Sequence, residues 1–240
     1  MRNKTIVNFG DSIFGNTRAP EDISTYIANQ TGATVYNVGF GGCRMGEHAE
    51  NWDCFSMYRL ADAITTSNWS LQDNAINDTE WNEPSYFDDS LELLKSIDFN
   101  TVDIITIAYG TNDFTSGNPI SKLEDALKYS IETIQNAYPD INIVVCSPTY
   151  RFWVDSSNYA FLYDSNSHEI NGQKLTDFVE KIKVVANEYG LVYIDNYNDS
   201  GICYDNITKC FPAGDGTHHN KVGRKMIAEN MAKELYKQFG

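Results

Sequence analysis

No apolar run in the sequence approaches the ~20 residues needed to cross a bilayer, and no basic run is long enough to track a phosphate backbone. Only 18 Lys and Arg stand against 33 Asp and Glu, a net charge of -15. That balance excludes nucleic acid and anionic membrane surfaces as expected partners. No apolar segment ends in a small-residue cleavage site of the secretory kind; Met1-Arg-Asn-Lys4 leads directly into a strand-like run. Read as given, the chain is expected to be soluble and cytoplasmic, or else the mature or excised form of an exported protein. Cysteine is scarce as well: Cys43, Cys54, Cys146, Cys203 and Cys210 are an odd set with no C-x-x-C pair, so no metal site is implied. Cys203 and Cys210 lie near enough in a loop to bridge, although free thiols are the default expectation. Internal repeats and low-complexity linkers are absent too. One domain over residues 1–240 is expected, long enough to bury a sizeable core.

What is present is a globular balance, 42% apolar and 21% charged. Apolar runs predict five strands: Thr5 up to the break at Gly10, Ala33 to Phe40, Thr101 to Tyr109, Ile141 to Ser147 and Leu191 to Asp195. The third is almost continuously apolar, the mark of a central strand covered on both faces. Helical spacing fills the gaps. Helices are predicted over Asp22 to Gln30, around Phe55 to Ile64, over Tyr86 to Ile97, along the stripe Ile120, Leu123, Leu127, Ile131 and Ile134, and from Leu175 to Val185. A last helix carries Val222, Met226, Ile227, Met231 and Leu235 on its buried face, with Asn220 as its cap. Ser67 to Ser85 reads as a loop insertion and Thr149 to His168 as an aromatic-rich loop that walls a pocket. Alternation of strand and helix predicts a three-layer α/β/α sandwich around a five-stranded parallel sheet.

Four polar or glycine-rich turns follow strands: Gly10-Asp11-Ser12, Gly39-Phe-Gly-Gly42, Gly110-Thr-Asn112-Asp113 and Asp215-Gly-Thr-His218. In an open parallel sheet these turns gather on one edge, where ligands bind. Acyl transfer needs a nucleophile, a base, a group that orients the base, and donors for the developing oxyanion. Ser12, His218 and Asp215 can fill the first three roles. The N–H groups of Ser12 and Gly42 and the side-chain amide of Asn112 can fill the fourth. Each piece taken singly also has a plain reading as a turn, a helix cap or a loop histidine. His219 lies four residues from Asp215, so spacing leaves it open as the base.

Together, in this order, Gly10-Asp-Ser12, Asn37-x-x-x-x-Gly42, Gly110-x-Asn-Asp113 and Asp215-x-x-His218 resemble the blocks of the SGNH hydrolases, the GDSL-type esterases and lipases, over the whole chain. The resemblance implies a flavodoxin-like sandwich, no metal or organic cofactor, Ser12 as nucleophile, Gly42 and Asn112 as oxyanion donors, and Asp215 with His218 as the remaining pair. Gly41 is the alternative to Gly42. Two positions depart from the pattern. Ile13 stands in place of Leu, a volume-conserving change, and His219 stands where many members carry Pro.

The motifs specify a reaction type and leave the ester open. Trp52, Trp69, Trp81, Tyr150, Trp153, Tyr159 and Tyr163 fall in irregular segments, where flat faces suit sugar rings, although aromatics fill cores equally well. A short-chain, O-acetyl ester on a carbohydrate is therefore expected, with a small molecule or oligosaccharide as substrate and Arg44, Tyr150 and Trp153 as candidate contacts. Arg44 and Arg151 could meet a carboxylate or phosphate, against the plainer expectation that both are solvated surface residues. The alternatives are a lysophospholipase, lipid esterase or thioesterase and, in another class, a carbohydrate-binding or adhesion module without turnover. A flavin-phosphate binder would want a Ser/Thr- and Gly-rich loop where Gly10-Asp-Ser-Ile-Phe14 stands. Oligomeric state leaves no mark in the sequence.

Overall fold

In the computed structural model, which describes residues 1–240, the apolar runs become β1 (Thr5–Gly10), β2 (Thr34–Asn37), β3 (Ile104–Ala108) and β4 (Asn142–Cys146). After two short ribbons, β5 (Phe152–Val154) with β6 (Phe161–Asp164) and β7 (Glu169–Ile170) with β8 (Gln173–Lys174), the fifth run gives β9 (Val192–Ile194). The main sheet is parallel throughout, in the order β2-β1-β3-β4-β9. This is the flavodoxin-like order, in which the chain leaves β1 in one direction and returns to β3 on its other side. Ile6–Gly10 of β1 and all of β3 are buried, as β-branched strands covered on both faces should be. One polar cluster interrupts them: Asn8 donates to Ser24 Oγ at 2.8 Å and accepts from Thr106 Oγ1 at 2.7 Å, so none of the three is left unpaired.

The helices are α1 (Ser12–Gly15), α2 (Ile23–Thr31), α3 (Glu50–Asp53), α4 (Met57–Thr66), α5 (Ser70–Ile76), α6 (Phe87–Ser96), α7 (Thr111–Thr115), α8 (Ile120–Ala137), α9 (Leu175–Glu188), α10 (Ile207–Cys210) and α11 (Lys221–Phe239). Right-handed crossovers dictate their sides. The β1 to β2 step runs opposite to the β3 to β4 and β4 to β9 steps, so α2 covers one face while α8 and α9 cover the other. α11 packs on α2, and α4 packs on α8. Asn220 caps α11, accepting from the Val222 N–H at 2.8 Å and the Gly223 N–H at 3.2 Å. No helix is long and apolar enough to cross a membrane.

Three expectations change. The Thr149 to His168 segment is not an irregular loop: β5 and β6 pair antiparallel, and a bulge between Trp153 and Val154 breaks the two-residue alternation that would have announced them. The insertion from Ser67 to Ser85 contains α5, whose Gln72 is buried and donates to the Cys54 carbonyl at 2.6 Å. Val222 is exposed, because Gly223 turns inward instead, so close to the Cys210 carbonyl that a Cβ would sit 2.6 Å from it. All five cysteines are free thiols, including Cys203 and Cys210.

Candidate active site

β1 ends at Gly10, and the next residue caps a single helical turn: the Asp11 carboxylate accepts the Ile13 N–H at 2.9 Å. Ser12 is thereby the first residue of α1, where an N–H has no intrahelical partner. Asp215 organises the other half. One carboxylate oxygen accepts the N–H groups of Thr217 at 2.8 Å and His218 at 2.9 Å, and the other lies 2.9 Å from His218 Nδ1. His218 Nε2 in turn lies 2.9 Å from Ser12 Oγ, across 206 residues of sequence. Burial pushes the Asp215 carboxyl up, but the two backbone donors and the imidazole outweigh it and hold the pKa below the usual carboxylate value. An ionised Asp215 fixes the proton on Nδ1 and leaves the Nε2 lone pair facing the serine hydroxyl.

The neighbouring imidazole is in a different position. His219 is 4% exposed, neither ring nitrogen has a partner, and the ring packs on Phe211 at 4.4 Å. Burial depresses its pKa to about 3, so it is neutral in ordinary buffers. Of the two histidines, His218 is the one that meets Ser12.

Gly42 has φ +76°, in the left-handed region, and its N–H makes no hydrogen bond within the protein. A Cβ there would approach the Trp52 ring to 3.0 Å, so both conformation and space call for glycine. The Gly41 N–H, by contrast, is spent on Tyr86 Oη at 3.0 Å. Asn112, in the first turn of α7, donates from Nδ2 to the Cys43 carbonyl at 2.9 Å, which fixes the amide while leaving its second hydrogen uncommitted. Ser12, Gly42, Asn112 and His218 share an open cleft of about 370 Å³, walled also by Trp52, Arg151 and Thr217. No group of three or more His, Cys, Asp or Glu side chains converges there or elsewhere to hold a metal.

A family model described as GDSL-like Lipase/Acylhydrolase matches residues 6–231. The chain belongs to this family. It is a carboxylic ester hydrolase on the SGNH hydrolase fold. No curated protein matches the sequence. Among solved structures, a carbohydrate acetylesterase from Sinorhizobium meliloti is 13% identical, with TM-score 0.63, covering 98% of this chain and 100% of that one. An aryl esterase of M. smegmatis is 15% identical, with TM-score 0.64 and 98% and 99% covered. A possible lipase from Chitinophaga pinensis is 17% identical, with TM-score 0.64 and 98% of each chain covered. At these identities the likeness is one of fold.

In this GDSL hydrolase several supporting residues escaped the sequence reading. Asp113, there only a possible cap, is buried and accepts the N–H groups of Met45 and Gly46, each at 3.1 Å, pinning the strip that follows Gly42. Burial raises its pKa, and those two donors oppose the rise. Asn37, the first residue of the second block, ties β2 to the Ser12 turn by donating to the Phe14 carbonyl at 2.9 Å. Tyr86 donates to Asn16 Oδ1 at 2.5 Å while holding Gly41, and nothing in its local sequence marks it.

The candidate substrate contacts lie elsewhere. Arg44 is half-buried and donates to the Glu47 carbonyl at 3.3 Å; Tyr150 is enclosed, its hydroxyl on Asp164 at 2.9 Å; Trp153 packs on Phe114, Tyr163 and His168. None of the three forms the cleft wall, where Trp52 is the aromatic that does. Arg151, expected at the surface, is 7% exposed and lines the cleft, held by the hydroxyls of Thr111, Thr115 and Thr217. Neither period flagged it, because it follows the end of β4 in a segment that enters the bulged hairpin.

Proposed function

We propose that the protein is a serine esterase that removes short acyl groups, chiefly O-acetyl, from a carbohydrate, and that residues 1–240 act as one catalytic domain. The observation that carries this is the unbroken chain from Asp215 through His218 to Ser12, each link 2.9 Å, facing a cleft that also holds the unpaired Gly42 N–H and the Asn112 amide. Ser12 Oγ attacks the ester carbonyl as its proton passes to His218 Nε2, and Asp215 stabilises the imidazolium. The tetrahedral oxyanion receives N–H bonds from Ser12, Gly42 and Asn112, where one such donor is worth ~10²–10³ in rate. Collapse breaks the bond to the alcohol, which leaves with the proton from Nε2. Water, deprotonated by the same nitrogen, then attacks the acyl-enzyme, and the acid departs as Ser12 recovers its hydrogen.

Short acyl groups suit the cleft because polar residues, Asn16, Asn112, Thr115 and Thr217, line it and Trp52 stands over Gly42. Hydroxyls and amides around one aromatic face suit a sugar. The acetylesterase among the fold neighbours acts on carbohydrate, which favours the same reading here. One feature favours a lipid ester instead: an apolar cavity of about 330 Å³ lined by Phe152, Val154, Phe161 and Phe211 beside the loop that carries Asp215. Ser12 is not in its wall, so we prefer the acetyl reading. The test compares acetate released from acetylated oligosaccharides with fatty acid released from lysophospholipid. Acetate release is expected to dominate, and a preference for long acyl chains would defeat the carbohydrate assignment.

A further inference from the structure

Arg151 is a buried cation without a counter-ion, set in the wall of the cleft. Its Nη1 donates to Thr111 Oγ1 at 3.0 Å and Thr115 Oγ1 at 2.8 Å, and its Nη2 to Thr217 Oγ1 at 2.7 Å. These hydroxyls fix the fork but carry no charge. The Trp153 ring, 4.4 Å from Cζ, holds its plane. These acceptors do not exhaust the fork: Nη2 keeps a second hydrogen, while Nε is enclosed in the protein and has no partner. The two carboxylates whose charges it feels, Asp11 and Asp215, do not pair with it. Asp215 is occupied by His218 and the backbone, and Asp11 caps α1. Burial lowers the guanidinium pKa only to about 10, so it stays cationic at neutral pH. An unpaired charge at this depth is destabilising unless a partner completes it.

We infer that Arg151 forms an anion subsite, and that the preferred ester carries a carboxylate on its alcohol part, as an O-acetylated uronic acid does. The inference rests on the hydrolase reading above. His218 hands its proton to the departing oxygen, so the alcohol part lies on the side of Ser12 that His218 and Thr217 occupy, and Arg151 is bonded to Thr217 there. The Thr217 hydroxyl accepts from Arg151 and its own hydrogen has no acceptor in the protein, so it can donate to the same anion. A planar guanidinium matches a carboxylate in geometry. A single cation balances a single charge, which favours carboxylate over a phosphate dianion in a chain of net charge -15.

The experiment measures acetate release from a methyl glucuronoside and a methyl glucoside acetylated at the same hydroxyl. The acidic ester is expected to show kcat/KM about ten-fold or more above the neutral one. In Arg151→Met this ratio should fall to about one, whatever the absolute rates, and Arg151→Lys should keep part of it. Should the variants not fold, inhibition of 4-nitrophenyl acetate hydrolysis by the unacetylated uronoside and glucoside decides the matter on the unaltered enzyme. Only the uronoside should compete, and salt should weaken it. Equal turnover of both esters, an unchanged ratio in Arg151→Met, equal inhibition by both sugars, or stronger inhibition by inorganic phosphate would overturn the subsite. Those outcomes leave the hydrolase reading standing. Failure to hydrolyse either sugar ester or 4-nitrophenyl acetate would sink that reading, and the subsite with it.

Discussion

At the scale of single residues, two adjacent histidines have opposite surroundings. His218 lies between a carboxylate and a hydroxyl; His219 lies against Phe211 with both nitrogens unpaired. His218→Ala should lower kcat/KM for 4-nitrophenyl acetate by ~10³-fold or more. His219→Leu should keep activity within about three-fold and raise the melting temperature, since two unsatisfied buried nitrogens disappear. Proton linkage separates His219 from Asp11 in the same way. Burial depresses the folded His219 to about 3 from its ordinary 6.5, so the unfolded chain binds the extra proton and stability is lost as pH falls through that window. Burial raises Asp11 from 3.8 to about 7, so the folded chain binds the extra proton and stability falls as pH rises through that window. The two slopes oppose each other where the windows overlap. Urea melts across about pH 4.5 to 7, where the two windows overlap, should therefore diverge in the variants. Asp11→Asn should gain stability as pH rises, and His219→Leu should lose it. Parallel profiles for the two variants would show that neither group titrates as its burial requires.

At the scale of elements, the site depends on turns that hold one another. Tyr86, at the start of α6, takes up the Gly41 N–H and so leaves Gly42 to face the cleft. Tyr86→Phe should cost about ten-fold in kcat with little change in KM, because it loosens a proposed oxyanion donor, whose bond forms in the transition state. A larger loss is expected for Gly42→Ala, whose methyl meets both a left-handed backbone and the Trp52 ring; kinetics on a short acetyl ester check both. The same elements explain what the sequence disclosed. Strand ends at Gly10 and Gly110 were legible because β1 and β3 are buried on both faces and break sharply at polar turns. The β5–β6 hairpin was not, because its bulge and its aromatic residues erase alternation. Tyr86, Asp113 and Arg151 act through contacts 45, 68 and 66 residues away, which no local pattern encodes.

At the scale of the molecule, the order β2-β1-β3-β4-β9 places the ends of β1 and β3 side by side where the chain reverses direction across the sheet. Ser12 follows one of these strands and Asn112 the other, so the proposed nucleophile and one proposed oxyanion donor are neighbours by topology. The turns at Ser12 and Asn112 were readable from the sequence because each follows a buried apolar strand. The ester was not, because side chains that line the cleft, such as Arg151 and Trp52, are brought there only by folding. The proposed mechanism rests on Ser12 as the nucleophile. The most direct measurement is the rate at which Ser12→Ala, with an unchanged circular dichroism spectrum, hydrolyses 4-nitrophenyl acetate. The account predicts a fall of ~10³-fold or more in kcat/KM, and turnover undiminished by the substitution would contradict it.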